Sequence, residues 1–338
     1  MDSPGAAYTQ FGFNLFQKLN KIHDGNIFFS PVGISAAIGM LVLEARGVTA
    51  VQLQKMLFSE KDAESSRIKT EEKMIDKTEE IHHQFQEVLD EIGKPTNDYE
   101  LKIANRLFGE KTYLFLQKYL DFVEKYYHAS LEPVDFVNAA DESRKKINSW
   151  VESQTNEKIK DLFPDDSLNS FTKLVLVNIV YFKGQWDREF KKENTKEEEF
   201  WLNKVIGQIT PEKLIEWTSP GHMEERNVTL HLPRFEVEDG YDLEAVLSAM
   251  GMGEAFSVCR ADYPGMSSPS RLHAHKFLHR SFVVVTEEGT ESSAATSVGF
   301  ALTSAPGCEH FHCNHPFLFF IKHQESNSIL FFGRFSSP

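Results

Sequence analysis

Residues 174–182 (LVLVNIVYF) are apolar and largely β-branched, with one strongly polar side chain, Asn178, in their middle. A continuous apolar run of this length predicts a strand that is buried on both faces, and Lys183 and Gly184 mark its end. A lone Asn inside such a strand needs a specific hydrogen-bond partner. The pattern therefore predicts a central strand with a buried polar contact at position 178.

The C-terminal end of the chain carries two further apolar runs, residues 316–321 (PFLFFI) and 329–335 (ILFFGRF). Residues 324–328 are polar and separate them, so the two runs predict a buried β-hairpin. The chain has 28 Phe, many of them in its last quarter. We therefore expect this end to lie deep in the core.

Helix signals occur at several places along the chain. Ser30 can cap a helix that has Pro31 at its first position, and Thr210 with Pro211 gives the same signal. The remaining predictions are a helix at 139–162, a strand at 228–232 and a short helix at 242–250 stopped by Gly251. Residues 59–98 are predicted to be a charged surface segment, either a solvated helix or a loose connection. Without repeats or low-complexity linkers, the pattern predicts one mixed α and β domain over residues 1–338.

Composition restricts the partners. The net charge of −14 disfavours nucleic acid and anionic membrane surfaces, and no run is long and apolar enough to span a bilayer. The N-terminus lacks the basic and apolar regions of a signal peptide. Three cysteines, Cys259, Cys308 and Cys313, are too few for a disulfide framework, which predicts a reducing compartment.

Catalytic motifs are missing from the sequence: there is no G-x-S-x-G, no H-E-x-x-H and no phosphate-binding glycine loop. One cluster could bind a metal, since Cys308, His310, His312, Cys313 and His315 fall within eight residues. In an extended strand, however, positions 308, 310 and 312 face one way and 313 and 315 the other. Compact sites usually take ligands from two elements, so we predict no metal and no cofactor.

Residues 287–299 (EEGTESSAATSVG) consist almost entirely of small or acidic side chains, and no proline occurs between positions 287 and 305. The simplest interpretation is a flexible surface loop. Yet the segment follows an apolar strand at 282–285, and nothing in it forbids strand formation. Drawn as a strand, one face carries Thr290, Ser292, Ala294, Thr296 and Val298, all of which could be buried. The segment can therefore be either a loop or a strand.

Taken together, these motifs resemble the serpin family, and within it clade B, the ovalbumin-type serpins that lack a cleaved signal peptide. The segment from Glu287 is similar to the hinge of inhibitory serpins. NIFFSP, LVLVNIVYFKGQW, LPRFEVE and HPFLFFI with FFGRFSSP resemble other family signatures, in the same order. The resemblance implies an α+β fold in which helices pack on three β-sheets and a reactive-centre loop is exposed.

The resemblance also implies a function: a protease inhibitor and not an enzyme, cleaved by its target between Thr303 and Ser304. Leu302 and Phe300 would then set target specificity, while Ser30, Asn178 and His315 would form a polar cluster (the shutter) beneath the central sheet. The hinge would comprise Glu287, Glu288, Gly289, Thr290, Glu291, Ser292, Ser293, Ala294, Ala295 and Thr296. Thr303 is small and neutral, which disfavours a trypsin-like pocket. Leu302 favours a papain-like cathepsin, with an elastase-like serine protease as the second choice.

Two departures from the family pattern affect these expectations. Gly33 stands where a serine is usual. More seriously, residues 200–204 (FWLNK) and 209–214 (ITPEKL) are joined by four residues where the family has several strands and a helix. Strands that belong to the second sheet would then be missing, and Phe317, Phe319, Phe331 and Phe332 would lose neighbours. We expect an unstable, monomeric chain in the cytoplasm, with non-classical release to the extracellular space as the alternative location. The alternative function is that of a non-inhibitory interaction protein.

Overall fold

The structure is a computed structural model, and it describes residues 4–57, 71–202, 209–268, 272–288 and 309–338. Its α-helices are α1 (Pro4–Ile22), α2 (Pro31–Val42), α3 (Gly47–Leu57), α4 (Glu71–Ile92), α5 (Gln117–Tyr127), α6 (Ala140–Gln154), α7 (Pro211–Trp217) and α8 (Leu243–Leu247). Its strands are β1 (Ile27–Phe29), β2 (Tyr99–Glu110), β3 (Leu114–Phe115), β4 (Ser130–Val134), β5 (Leu174–Gly184), β6 (Val228–His231), β7 (Phe235–Asp242), β8 (Ser267–Ser268), β9 (Lys276–Val285), β10 (Glu309–His312), β11 (Phe317–His323) and β12 (Ser328–Phe335). In this part of the chain, every helix is too short or too polar to cross a membrane.

The central layer is a five-stranded sheet with the order β4-β2-β5-β9-β7. The predicted buried strand is β5, and its first eight residues, from Leu174 to Tyr181, are all buried. One face of the sheet packs on α6 through Phe108, Ile147 and Val151. The opposite face contributes Leu107, Leu176 and Val180 to the main core. Burial on both faces explains why the sequence of β5 does not alternate between polar and apolar residues.

A second sheet of three strands, in the order β1-β12-β11, contains the predicted C-terminal hairpin. Every residue of β12 is buried, and Phe332 contacts Phe16 with a ring-centroid distance of 4.9 Å. Phe331 and Phe332 therefore keep their neighbours, and the prediction that they would lose them is wrong. Phe317 and Phe319 lie in β11 and are only partly buried, because β11 is the edge strand within the described residues.

Helix α2 connects the two sheets. Its N-cap is Ser30, whose hydroxyl accepts the backbone N–H of Gly33 at 3.2 Å, and Pro31 follows at the first position as predicted. All twelve residues of α2 are buried. The Tyr119 hydroxyl donates to the carbonyl of Met40 at 3.0 Å, which fastens the C-terminal part of the helix to α5. Helix α2 is therefore held at its start by the Ser30 cap and near its end by Tyr119.

Helix α6 is shorter than the sequence pattern predicts, because it ends at Gln154 and not near residue 162. The Thr155 hydroxyl donates to the carbonyl of Val151 at 3.0 Å and also accepts the backbone N–H of Ile159 at 3.1 Å. Asn156 and Glu157 then adopt positive φ, which ends the helical path. Local side-chain hydrogen bonding at Thr155 therefore outweighs the apolar periodicity that continues through Leu162.

Candidate functional site

The five-stranded sheet contains a parallel ladder between β5 and β9, which runs from the pair Val175–Lys276 to the pair Phe182–Val283. We call this ladder the seam. Antiparallel ladders, β2–β5 and β7–β9, flank it on both sides. A strand placed between β5 and β9 and running opposite to both would make the central part of the sheet antiparallel. The chain that leaves β9 at Val285 would have that direction if it turned back.

The three residues after β9 are held by hydrogen bonds that their backbone carbonyls accept. The indole Nε1–H of Trp186 donates to the carbonyl of Thr286 at 2.9 Å. The backbone N–H of Trp186 donates to the carbonyl of Glu288 at 3.4 Å, and that of Phe190 to the carbonyl of Glu287 at 2.8 Å. The segment that follows β5 therefore fixes where the predicted hinge begins.

Side chains add to this attachment. The Thr195 hydroxyl donates to Oε1 of Glu287 at 2.8 Å, and Lys192 forms an ion pair with Glu288. The backbone N–H of Glu287 and then the Thr195 hydroxyl lower the pKa of the Glu287 carboxyl. Glu287 is thus ionised at neutral pH, and Glu288 is held by its ion pair with Lys192.

The remaining sequence-predicted site residues of this segment lie outside the described residues. They are Gly289, Thr290, Glu291, Ser292, Ser293, Ala294, Ala295, Thr296, Phe300, Leu302, Thr303 and Ser304. The described chain resumes with β10, whose first residue is Glu309. The hinge and the reactive bond therefore connect the end of β9 to the start of β10.

A buried polar group crosses the seam. The backbone N–H of Ser30 donates to Nε2 of His279 at 3.1 Å, and Nδ1 of His279 contacts Oδ1 of Asn178 at 2.6 Å. Nδ2 of Asn178 donates to Oδ1 of Asn105 at 2.6 Å. Asn178 and His279 are also direct partners in the seam register. The partner required by the lone Asn in β5 is therefore His279 on the neighbouring strand.

The third residue predicted for this group, His315, lies elsewhere. Its side chain is exposed, and its Nδ1 contacts the carbonyl of Pro316 at 3.1 Å. The position between Ser30 and Asn178 belongs to His279, because β9 and not the C-terminal hairpin lies beside β5. Ser30 and Asn178 are thus brought together through His279, and His315 is not part of the group.

The hydrogen bonds define the protonation state of His279. Because the Ser30 N–H can only donate, Nε2 must accept, and Nδ1–H must donate to the Asn178 oxygen. The imidazole is therefore neutral, with its proton on Nδ1. Complete burial lowers the pKa of His279 from the ordinary 6.5 to about 3, and protonation at Nε2 would set two donors against each other.

This assignment predicts a loss of stability in acid. The unfolded chain binds a proton at His279 below pH 6.5 and the folded chain does not until about pH 3, so stability falls as the pH drops through that window. His279 alone should lower the free energy of unfolding by about 2 kcal/mol between pH 7 and pH 5. Denaturant titration at both pH values measures this fall.

The matched variant is His279→Gln, whose amide can make both hydrogen bonds without titrating. It should lose about 2 kcal/mol less than the unmodified chain over the same interval. His82 titrates in the same direction, since burial lowers its pKa to about 4, and it remains in both proteins. Equal falls in the two proteins would contradict the neutral, buried assignment of His279.

Gly33 is adapted to this group. A Cβ at position 33 would lie 2.8 Å from Cγ2 of Val180 and 2.9 Å from Oδ1 of Asn178. Both distances are shorter than van der Waals contact, so the serine that is usual in the resembled family would need Asn178 to move. The glycine lets the α2 N-terminus approach β5 closely.

Sequence reasoning missed His279 and Asn105, although a signal for His279 exists. Strand β9 carries buried polar side chains at His279 and Ser281 within an apolar run. Two neighbouring strands that each carry a polar residue in an apolar interior predict a mutual contact. The register that brings position 178 opposite position 279 is not readable from the chain, because these strands are about a hundred residues apart.

Comparison with known proteins identifies the family. The serpin family model, described as serine protease inhibitor, matches residues 6–206 and again residues 202–338. Human Serpin B13 is 66% identical over 391 residues, and human Serpin B3 is 47% identical, each covering 100% of both chains. The structure of uncleaved ovalbumin matches with a TM-score of 0.87 at 33% identity, covering 100% of both chains.

These matches extend over nearly the entire chain, and the described sheets and helices agree with the fold expected from the sequence motifs. Members of the family are inhibitors of proteases and not proteases themselves. The chain therefore has the serpin fold and belongs to clade B of the serpin family.

Proposed function

We propose that this protein inhibits proteases by a suicide-substrate mechanism, with residues 287–305 as bait and Thr303–Ser304 as the reactive bond. The supporting observation is the seam, a parallel ladder beside the strand from which the bait departs. The hinge residues are small and free of proline, so they can form a strand that pairs on both sides. The same segment is therefore suited to be a loop before cleavage and a strand afterwards.

The first step takes place in the target protease. Its nucleophile attacks the carbonyl carbon of Thr303, the C–N bond to Ser304 breaks, and the Ser304 amine leaves with a proton from the protease. An ester or thioester then joins the protease to Thr303. No catalytic group of the serpin takes part in this step.

The second step is insertion of the freed hinge between β5 and β9. The parallel seam breaks, and two antiparallel ladders replace it, so the sheet gains one ladder in total. The Asn178–His279 hydrogen bond crosses the seam and must break as the strand enters. The anchors at Glu287 and Glu288 set the point from which insertion begins.

The residues before the reactive bond support a particular class of target. Thr303 offers no positive charge to a trypsin-like pocket, while Leu302 and Phe300 are large and apolar. Papain-like cysteine proteases mainly recognise the residue that precedes the one whose carbonyl is attacked, which is Leu302. We therefore propose a papain-like cathepsin as the target, with an elastase-like serine protease second.

A shortened second sheet supports a different function, a serpin-like interaction protein that is cut without trapping its protease. The family model matches in two stretches that meet at residues 202–206. The comparison with human Serpin B13 runs over 391 positions, whereas this chain has 338 residues, so about 53 positions lack a residue here. We infer a single domain that is internally shortened near residues 204–209.

Other parts of the proposal follow from the family and the composition. The chain acts as a monomer without a cofactor, its partner is the target protease, and neither nucleic acid nor membrane is involved. We place it in the cytoplasm, with non-classical release to the extracellular space as the alternative. The net charge of −14 supports the absence of anionic partners.

The two functions are separated by mixing the purified chain with a papain-like cathepsin and, in parallel, with an elastase-like protease. An inhibitor should remove protease activity and give a covalent species whose mass equals the protease plus residues 1–303. Cleavage at Thr303–Ser304 with full protease activity would establish the substrate-only function. Faster inhibition of a trypsin-like enzyme than of either protease would contradict the proposed specificity.

A further inference from the structure

Strands β6 and β10 form a separate two-stranded parallel sheet, in which His231 is the register partner of His312. His310 precedes His312 by two residues, so the alternation of a strand places both on the same face. The ring centroids of His231 and His312 are 4.0 Å apart, and each lies 6.1 Å from that of His310. Three imidazoles therefore share one face of this strand pair, which we call the histidine triad.

The nitrogens of the triad are close enough to converge on one ion. One ring nitrogen from each histidine lies within 4.8 Å of those of the other two. Zinc–nitrogen bonds of about 2.0–2.1 Å bring tetrahedral ligand atoms to within about 3.4 Å of each other. His310 and His312 are exposed and His231 is half-buried, so small side-chain rotations can close the difference.

The histidine triad draws its ligands from two strands, whereas the histidine-rich stretch at 308–315 alone offers ligands from one strand. The sequence offered ligands from one strand only, and we expected no metal because compact sites draw on two elements. Parallel pairing brings in His231 from a strand about eighty residues earlier. Within the described residues, no other group of three histidine, cysteine or acidic side chains meets the same distance requirement.

The strand pair that carries the triad is held at both ends. The backbone N–H of Cys313 donates to the carbonyl of His231 at 2.8 Å, and that of Glu309 to the carbonyl of Asn227 at 3.3 Å. Arg226 forms an ion pair with Glu309 at 2.9 Å. The three imidazoles are thus mounted on a backbone of fixed register, which lowers the conformational cost of binding an ion.

We propose that His231, His310 and His312 bind Zn²⁺ as a three-imidazole site with one position left for water or an anion. Neutral imidazoles favour Zn²⁺ and its neighbours Ni²⁺ and Cu²⁺ over Ca²⁺ or Mg²⁺. The ion joins β6 to β10, the strand that starts five residues after Ser304. This site is independent of the inhibitory mechanism proposed above.

Zinc binding is measured on the full chain, with any affinity tag removed, by competition against a chromophoric zinc chelator. We expect one ion per chain. The single variants His231→Gln and His312→Gln should each weaken zinc binding at least about 10-fold, since altering even the outer partners of a ligand costs about 10–100-fold. His222→Gln is the matched control, because His222 is exposed and lies outside the triad, and it should bind zinc like the unmodified chain.

A second measurement needs no variant. Cobalt bound in place of zinc should give the intense visible absorption of a four-coordinate site, and zinc should abolish that absorption. Retention of full zinc affinity by His231→Gln would overturn the proposal, as would a cobalt spectrum typical of six-coordinate aqueous ion. Both results are independent of whether the chain inhibits a protease.

Discussion

Replacing Ala294 with arginine should convert the protein from an inhibitor into a substrate of its target protease. In the proposed inserted strand, Ala294 lies on the face that carries Thr290, Ser292 and Thr296, all small enough to be buried. An unpaired guanidinium on that face costs several kcal/mol of desolvation. Each 1.4 kcal/mol is about tenfold in a rate or equilibrium, so trapping should fall at least about 100-fold.

The measurement is the number of serpin molecules consumed per protease molecule inhibited, with the cleaved product identified by mass. Cleavage at Thr303–Ser304 should continue at its normal rate, because the reactive bond is unchanged. The matched control is Ala295→Arg, on the opposite face, which already carries the charged Glu291. Equal losses in the two variants would contradict the assignment of the buried face, and undiminished trapping by Ala294→Arg would contradict insertion.

Restoring the missing segment should produce the largest gain in stability. Edge strand β11 carries an apolar run from Phe317 to Ile321 that is only half-buried. Trp201 and Leu202, directly before the join, are 55% and 68% exposed. Each large apolar side chain gains about 1.5–3 kcal/mol on full burial, while a typical domain has about 5–15 kcal/mol in total.

The experiment inserts the corresponding residues of human Serpin B13 between positions 204 and 209 and compares the two proteins. The longer chain should be monomeric and unfold in one cooperative transition, with a free energy of unfolding several kcal/mol higher than that of the shorter chain. The shorter chain should aggregate, because an apolar edge strand pairs readily with other strands. A cooperative, high-temperature transition of the shorter chain as a monomer would contradict this account.

The sequence was most informative where local chemistry decides structure. An apolar run with no alternation predicted β5, two Phe-rich runs predicted the β11–β12 hairpin, and Ser30 with Pro31 predicted the start of α2. In each case the signal lies within a segment of at most 20 residues, the length from Pro316 to Phe335. The family motifs then placed these elements in the serpin fold.

The sequence was least informative where two distant segments meet. His315 was expected beside Asn178 and His279 is found there, because only the sheet order shows which strand lies next to β5. The grouping of His231 with His310 and His312 was missed for the same reason, since no local spacing reveals that β6 pairs with β10. The end of α6 was missed for another reason, the competing hydrogen bonds of Thr155.

The position of the Asn178–His279 contact has a mechanical consequence. A strand that enters from the Phe182 end separates β5 from β9 one residue pair (one rung of the ladder) at a time. The hydrogen bonds of the seam therefore break in sequence and not simultaneously. Above position 178 the β5 residues are apolar or aromatic, while β9 contributes Arg280 and Ser281 to the same rungs. The Asn178–His279 hydrogen bond is a buried polar contact across the seam that the entering strand must break. Opening as far as Ile179 leaves this contact intact and should be reversible, and passage beyond Asn178 should commit the sheet to the inserted form. Amide hydrogen exchange along β5 should accordingly change abruptly at residue 178.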